Sequence, residues 1–119
     1  MKKDNPVRDK SYQFALRIVK LYRYLAEEKK EYILSKQLLR SGTSIGANVE
    51  EALGGQSRKE FITKITISYK EARETVYWIR LLRDSGYLTI EQADSILKDA
   101  DVLLRLLGSI QLSLKNKPE

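Results

Sequence analysis

The sequence predicts an all-α protein, an up-down antiparallel four-helix bundle, and three observations lead there. Apolar residues recur at helical spacing through almost all of the 119 residues. No stretch alternates polar and apolar residues as a half-buried strand would. Start and stop signals divide the chain into helices at about 6–26, 31–53, 58–84 and 90–114, joined by connections short enough to make neighbours antiparallel. Residues 1–119 read as one domain, long enough to bury about two-thirds of its unfolded surface.

The first helix opens at Asn5-Pro6, with Asn as N-cap and Pro at the first helical position, where a missing N–H costs nothing. Phe14, Ile18, Leu21, Tyr22 and Leu25 form its apolar side, and Lys10, Gln13, Arg17, Lys20 and Tyr24 line another. The stretch Glu27 to Glu31 contains no glycine or proline; a connection is placed there because the apolar phase shifts after it. In the second helix, Leu34, Leu38, Ser41, Ile45, Val49 and Ala52 share one face straight through Gly42 and Gly46. That helix is therefore read as continuous from Glu31 to Leu53 and stopped by Gly54-Gly55. A break between Ser41 and Ser44 is the alternative, since Ser and Thr beside Gly are also N-cap signals.

Ser57-Arg58-Lys59-Glu60 is a capping box that opens the third helix, the Ser accepting from the Glu backbone N–H and the Glu reaching back to the Ser N–H. Its buried face is read as Phe61, Ile62, Ile65, Tyr69, Ala72, Val76 and Ile79, and its polar side as Lys59, Thr66, Lys70, Arg73, Tyr77 and Arg80. Ile67, Trp78 and Leu82 fall outside the main stripe. Either the core stripe is wide or these three meet another subunit, and clustered apolar surface favours an oligomer interface. Asp84-Ser85-Gly86 ends the helix, and a second capping box, Thr89-Ile90-Glu91-Gln92, opens the fourth. There Ala93, Ile96, Leu97, Ala100, Leu103, Leu104, Leu107, Ile110 and Leu114 face inward, opposite Glu91, Asp94, Lys98, Asp101 and Arg105. Residues 115–119 are expected to fray.

The residue inventory excludes much chemistry. Cysteine and histidine are both absent, which removes disulfides, thiolate or imidazole metal sites, the Ser-His-Asp triad and the Cys-His dyad. Gly42-Thr43-Ser44-Ile45-Gly46 spells a serine elbow, but no strand precedes it and the chain has no histidine base. It also lacks the spacing and the Lys-Ser/Thr ending of a nucleotide loop. Glu50, Glu51, Glu71 and Glu74 lie mostly outside the apolar stripes, so no carboxylate-bridged metal site is expected. The expectation is a protein that is not an enzyme and holds no metal or cofactor. No apolar run reaches the roughly 18 residues of a membrane span, and Met-Lys-Lys-Asp-Asn-Pro lacks a signal-peptide apolar core, so a cytoplasmic protein without a membrane partner is expected.

Two features remain as functional candidates. Ser41, Gly42, Ser44, Gly46, Ala47 and Asn48 read as a helix-packing motif, in which glycines four apart let a neighbouring helix come close. That packing must offset about 1 kcal/mol for each mid-helix glycine relative to alanine, and Asn48, near the core, needs a partner. The second feature is charge. The net charge is +6, and residues 1–40 hold eleven Lys/Arg against five Asp/Glu, so the whole surplus lies there. Such a surplus suits an anionic partner, although solubility alone also accounts for it. The candidate phosphate contacts are Lys10, Arg17, Lys20 and Arg23 on the first helix and Lys70, Arg73 and Arg80 on the third, with no residue assigned to base reading. Binding of RNA or DNA through them would fall with salt and vary little with sequence. The alternative is an adaptor whose partner is another protein.

The run LRSGTSIGANVEEA from Leu39 to Ala52, followed by Phe61 to Lys64 and by KEARETVYW from Lys70 to Trp78, resembles a bacterial family of four-helix bundles. That family is named for proteins encoded within intervening sequences of large-subunit ribosomal RNA genes, and the resemblance covers nearly the whole chain. It implies a four-helix protomer assembled with itself into a ring-like homopentamer. It further implies kinship with the accessory variability proteins of diversity-generating retroelements, related bundles that bind nucleic acid and a reverse transcriptase.

Overall fold

Local capping chemistry places the four helices. The computed structural model describes residues 5–115, which form α1 (Pro6–Glu27), α2 (Leu34–Leu53), α3 (Arg58–Asp84) and α4 (Ile90–Lys115), with no strand among them. The reading of the first four residues and the expected fraying of 116–119 lie outside the described residues. Asn5 Oδ1 accepts from the Arg8 N–H at 3.1 Å, with Pro6 at the first helical position. Ser57 Oγ accepts from the Glu60 N–H at 3.1 Å, while the Glu60 carboxylate accepts from Gln56, one residue earlier than a reciprocal box requires. The Thr89 and Gln92 box closes on both sides, at 3.0 and 2.9 Å.

The start of α2 differs from the expectation by three residues, and the cause is Glu31. Lys30 adopts a left-handed backbone with φ 55, which ends the path of α1 and turns the chain. The Glu31 N–H then donates to the Leu25 carbonyl at 2.9 Å. Its carboxylate, only 8% exposed, accepts from the backbone N–H groups of Ile33, Leu34 and Ser35 at 3.1, 3.0 and 2.7 Å. These are donors that the first turn of a helix leaves without internal partners. Burial raises the carboxyl pKa, but the N–H groups of Leu34, Ser35 and Ile33 together outweigh it and hold Glu31 below the ordinary glutamate value.

Each helix packs against its two neighbours around a ring, α1–α2–α3–α4–α1, and the backbones of the diagonal pairs stay apart. Side-chain pairs running in opposite directions fix the antiparallel sense. Arg8 pairs with Glu50, Arg40 with Glu71 and Glu74, Lys64 with Glu51, and Arg17 with Asp99. Phe14, Ile18 and Leu25 from α1, Leu38, Ile45 and Val49 from α2, Ile65, Ile79 and Leu82 from α3, and Leu103 and Leu107 from α4 are at most 1% exposed in the shared core. The α4 face agrees with the sequence reading, and Asp101 pairs with Arg105 at 2.9 Å on its opposite side. None of the helices is long and apolar enough to cross a membrane, among the described residues.

Helix α2 is continuous through its glycines, without the break that Ser41 to Ser44 left open. A Cβ on Gly42 would lie 2.7 Å from Ile18 Cγ1 and 2.8 Å from Ile18 Cγ2; one on Gly46 would lie 3.2 Å from the Ser11 carbonyl oxygen. The missing side chains therefore admit α1 itself. On the other flank, Ser68 Oγ donates to the Ile45 carbonyl at 2.8 Å, and the Thr75 and Ser41 hydroxyls meet at 2.9 Å. These bonds change the expected α3 face. Ser68 and Thr75 are fully buried, whereas Phe61, Ile62, Tyr69 and Val76 are only half-buried. Hydroxyls whose hydrogen bonds are made can occupy a core line that hydrophobicity alone would deny them.

Gly42→Ala is expected to lower stability by about 1–2 kcal/mol, the overpacking cost exceeding the gain in helix propensity. In urea unfolding, combining it with Ile18→Ala should cost less than the two single changes added, because the new methyl enters the vacated space. Gly46→Leu, aimed at backbone, should not fold. Glu31→Ala should cost about 1–2 kcal/mol at pH 7. Because the folded pKa is depressed, that stability is complete above the unfolded value of about 4.3 and is lost as pH falls through the folded value. The gap in thermal midpoint between wild type and Glu31→Ala should therefore narrow as pH falls below the unfolded value of about 4.3.

Candidate nucleic-acid interface

The sequence Lys70-Glu71-Ala72-Arg73-Glu74 carries two bases and two acids and looks self-neutralising. Helix geometry separates them. At 3.6 residues per turn, Glu71 and Glu74 fall on the flank facing α2, while Lys70, Arg73, Tyr77 and Arg80 form a stripe pointing away from the bundle. Arg40, reaching across from α2, pairs with Glu71 at 3.3 Å and with Glu74. Glu74 also accepts from the Trp78 indole N–H at 2.9 Å. Both carboxylates are thus engaged away from the stripe. Lys70, Arg73 and Arg80 are exposed and make no ion pair among the described residues. At the end of the stripe, a hydrogen bond from Arg83 at 2.7 Å holds the Asp84 carboxyl below the usual carboxylate range, with Arg80 adding a smaller contribution.

The α1 cations occupy a different environment. Arg17 donates to Asp99 at 2.6 Å and to Ser95 Oγ at 2.9 Å, so its charge is answered by α4. Lys10 shares a cleft of about 200 Å³ with Asp99, and Lys20 shares one of about 540 Å³ with Glu91. Arg23 is exposed. Because α1 and α3 are diagonal, the seven predicted cations form two separate sets and no single surface. Among the described residues, Arg17 is the one first-helix candidate that makes an ion pair with α4, whereas Lys70, Arg73 and Arg80 follow one another along a single exposed stripe whose neighbouring acids are engaged by Arg40.

The packing motif is mostly placed as expected. Ser41 and Gly42 are buried, and Ser44, Gly46 and Asn48 are half-buried, with Asn48 Nδ2 donating to the Ser44 carbonyl at 2.8 Å and Ser44 Oγ to the Arg40 carbonyl at 2.6 Å. Ala47 is a correction: it is exposed and packs against no neighbouring helix face. Leu82 is a second. It lies three residues after Ile79 and seven after Thr75, on the core line, and its 0% exposure removes it from any subunit interface. Ile67 and Trp78 are half-buried. Sequence reasoning missed Arg40, whose acids lie 31 and 34 positions away, and missed Tyr12 and Leu16, which are 60% and 45% exposed one turn apart on α1. Among the described residues, no group of three or more His, Cys, Asp or Glu could hold a metal ion.

Comparison with known proteins accords with this architecture. A family model described as 23S rRNA-intervening sequence protein matches residues 3–109. The chain is also similar to a crystal structure of a protein with unknown function from the S23 ribosomal protein family of Bacteroides thetaiotaomicron VPI-5482. The two are 55% identical with a TM-score of 0.89, over 92% of this chain and 98% of that one. No curated protein matches the chain.

Arg40→Gln and Arg8→Gln each remove one positive charge from an exposed ion pair, but only the first frees carboxylates beside the α3 stripe. On immobilised heparin, a generic polyanion, Arg40→Gln should elute at clearly lower salt than Arg8→Gln. Equal elution would mean that Glu71 and Glu74 do not oppose the stripe.

Proposed function

Because the chain belongs to the 23S rRNA-intervening sequence protein family, we propose that it acts as a binding protein without catalytic activity. In this reading it is a cytoplasmic homo-oligomer, a ring-like homopentamer, that holds nucleic acid through the outward face of α3 without reading base sequence. One observation carries the proposal: Lys70, Arg73 and Arg80 share an exposed stripe while the neighbouring acids Glu71 and Glu74 are held by Arg40. A row of exposed cations that make no ion pair binds a polyanion by releasing its counterions. Repeating the row in an oligomer turns a weak patch into an avid one. The absence of histidine and cysteine from the chain supports a non-catalytic role. A second reading, an adaptor for a protein partner such as a reverse transcriptase or an RNA-bound complex, draws on the exposed Tyr12 and Leu16 of α1. A pull-down repeated after nuclease digestion separates the two, because a direct protein partner survives digestion.

Fluorescence anisotropy with labelled oligonucleotides tests the main reading. Affinity should fall steeply with salt and differ little between sequences. Neutralising Lys70, Arg73 and Arg80 together as glutamines should flatten the log–log salt slope by about two. The matched set Lys10→Gln, Lys20→Gln and Arg23→Gln should change it less. Native mass spectrometry should give five chain masses. Binding that is absent at low ionic strength, or that survives high salt unchanged, would sink the proposal.

A further inference from the structure

An aromatic residue sits among these cations. Tyr77 lies between Arg73 and Arg80 on the outward stripe and is 52% exposed. Its ring meets the Trp78 ring edge-on, with centroids 5.1 Å apart and planes at 71°. Trp78 is itself fixed: its indole N–H donates to Glu74 at 2.9 Å, and Glu74 is held by Arg40 from α2. A chain of contacts, Arg40 to Glu74 to Trp78 to Tyr77, therefore supports one exposed aromatic face at the centre of a cationic row. Lys70 to Arg80 spans about 15 Å along the helix, long enough to follow several backbone phosphates.

The geometry points to single-stranded RNA as the occupant of this face, with phosphates on Lys70, Arg73 and Arg80 and an unpaired base stacked on Tyr77. The inference rests on the nucleic-acid reading and narrows it. Three cations alone would serve a duplex equally well, because both present phosphates. Tyr77 discriminates. In a duplex, the flat faces of the bases are already covered by their neighbours, whereas an unpaired base offers its face to an aromatic side chain whatever its identity. RNA is the nucleic acid that regularly presents unpaired bases, in loops, bulges and ends. Charge complementarity recruits the strand, and Tyr77 selects for the unpaired state. Arg40, Glu74 and Trp78 act as positioning residues, each through the next.

The chain contains a single tryptophan, so its emission reports on Trp78 alone. The test uses full-length protein at low salt with three probes of twelve nucleotides per strand: unpaired RNA, unpaired DNA of matching sequence, and duplex RNA. Wild type should bind the unpaired RNA about tenfold more tightly than the duplex, and only unpaired strands should quench Trp78. Tyr77→Leu should weaken unpaired RNA about tenfold and leave duplex binding unchanged, while Tyr77→Phe keeps the wild-type preference. Circular dichroism verifies that both variants are folded. Duplex bound as tightly as unpaired RNA, or an unchanged RNA affinity in Tyr77→Leu, would overturn this inference while leaving the phosphate reading intact. Unpaired DNA bound more tightly than RNA would overturn the RNA assignment. No binding of any probe would overturn both the inference and the reading beneath it.

Discussion

With no Cβ on Gly42 or Gly46, α1 settles against the backbone of α2 so closely that added methyls would stand 2.7 Å from Ile18 and 3.2 Å from the Ser11 carbonyl. This steric permission makes α2 the hub of the bundle. One flank takes α1 through absent side chains. The other takes α3 through hydroxyls, with Ser41 against Thr75 and the Ile45 carbonyl against Ser68. Small residues on both flanks bring two helices near, and the large apolar residues between them, Leu38, Ile45 and Val49, fill the space so defined. Two mid-helix glycines cost about 2 kcal/mol in propensity, which burial of a side chain such as Ile18 is large enough to offset.

The placement of α3 by that hub has an electrostatic result. Close packing of α2 on α3 puts Arg40 within reach of two carboxylates, and those carboxylates then cannot answer Lys70 and Arg73 on the same helix. A segment with no net charge acquires a cationic side and a neutralised side. Each ion pair is partly exposed and contributes little to stability by itself. Their consequence lies in where charge is left over.

Features set within one turn or one helix were legible in the sequence. Asn5-Pro6, Ser57 with Glu60, and Thr89 with Gln92 act over three or four residues, and each capping start is found where its letters indicate. The glycine pair was legible as a packing device because apolar phase continued through it. Features set between helices were not. Nothing local reveals that Ser68 and Thr75 have partners on α2, that Arg40 will sort the acids of α3, or that Asp99 will claim Arg17. Glu31 is intermediate. Its spacing before Ser35 is consistent with capping, but its role depends on Lys30 taking a left-handed backbone that lysine rarely adopts. A line that runs through Tyr69 and Val76 leaves Leu82 outside it, because those two residues lie to one side of the true core line.

The fourth seam of the ring, between α1 and α4, is the least intimate of the four, and it alone joins helices that are not consecutive in the chain. Its Arg17 to Asp99 bridge is partly solvated, and clefts open beside it at Lys10 and Lys20. Sparse packing makes this the seam at which local opening costs least. An α1 freed at this edge is still held to its own α2 by the close approaches at Gly42 and Gly46, so opening the seam bares the inner side of α1 without releasing the helix to another copy.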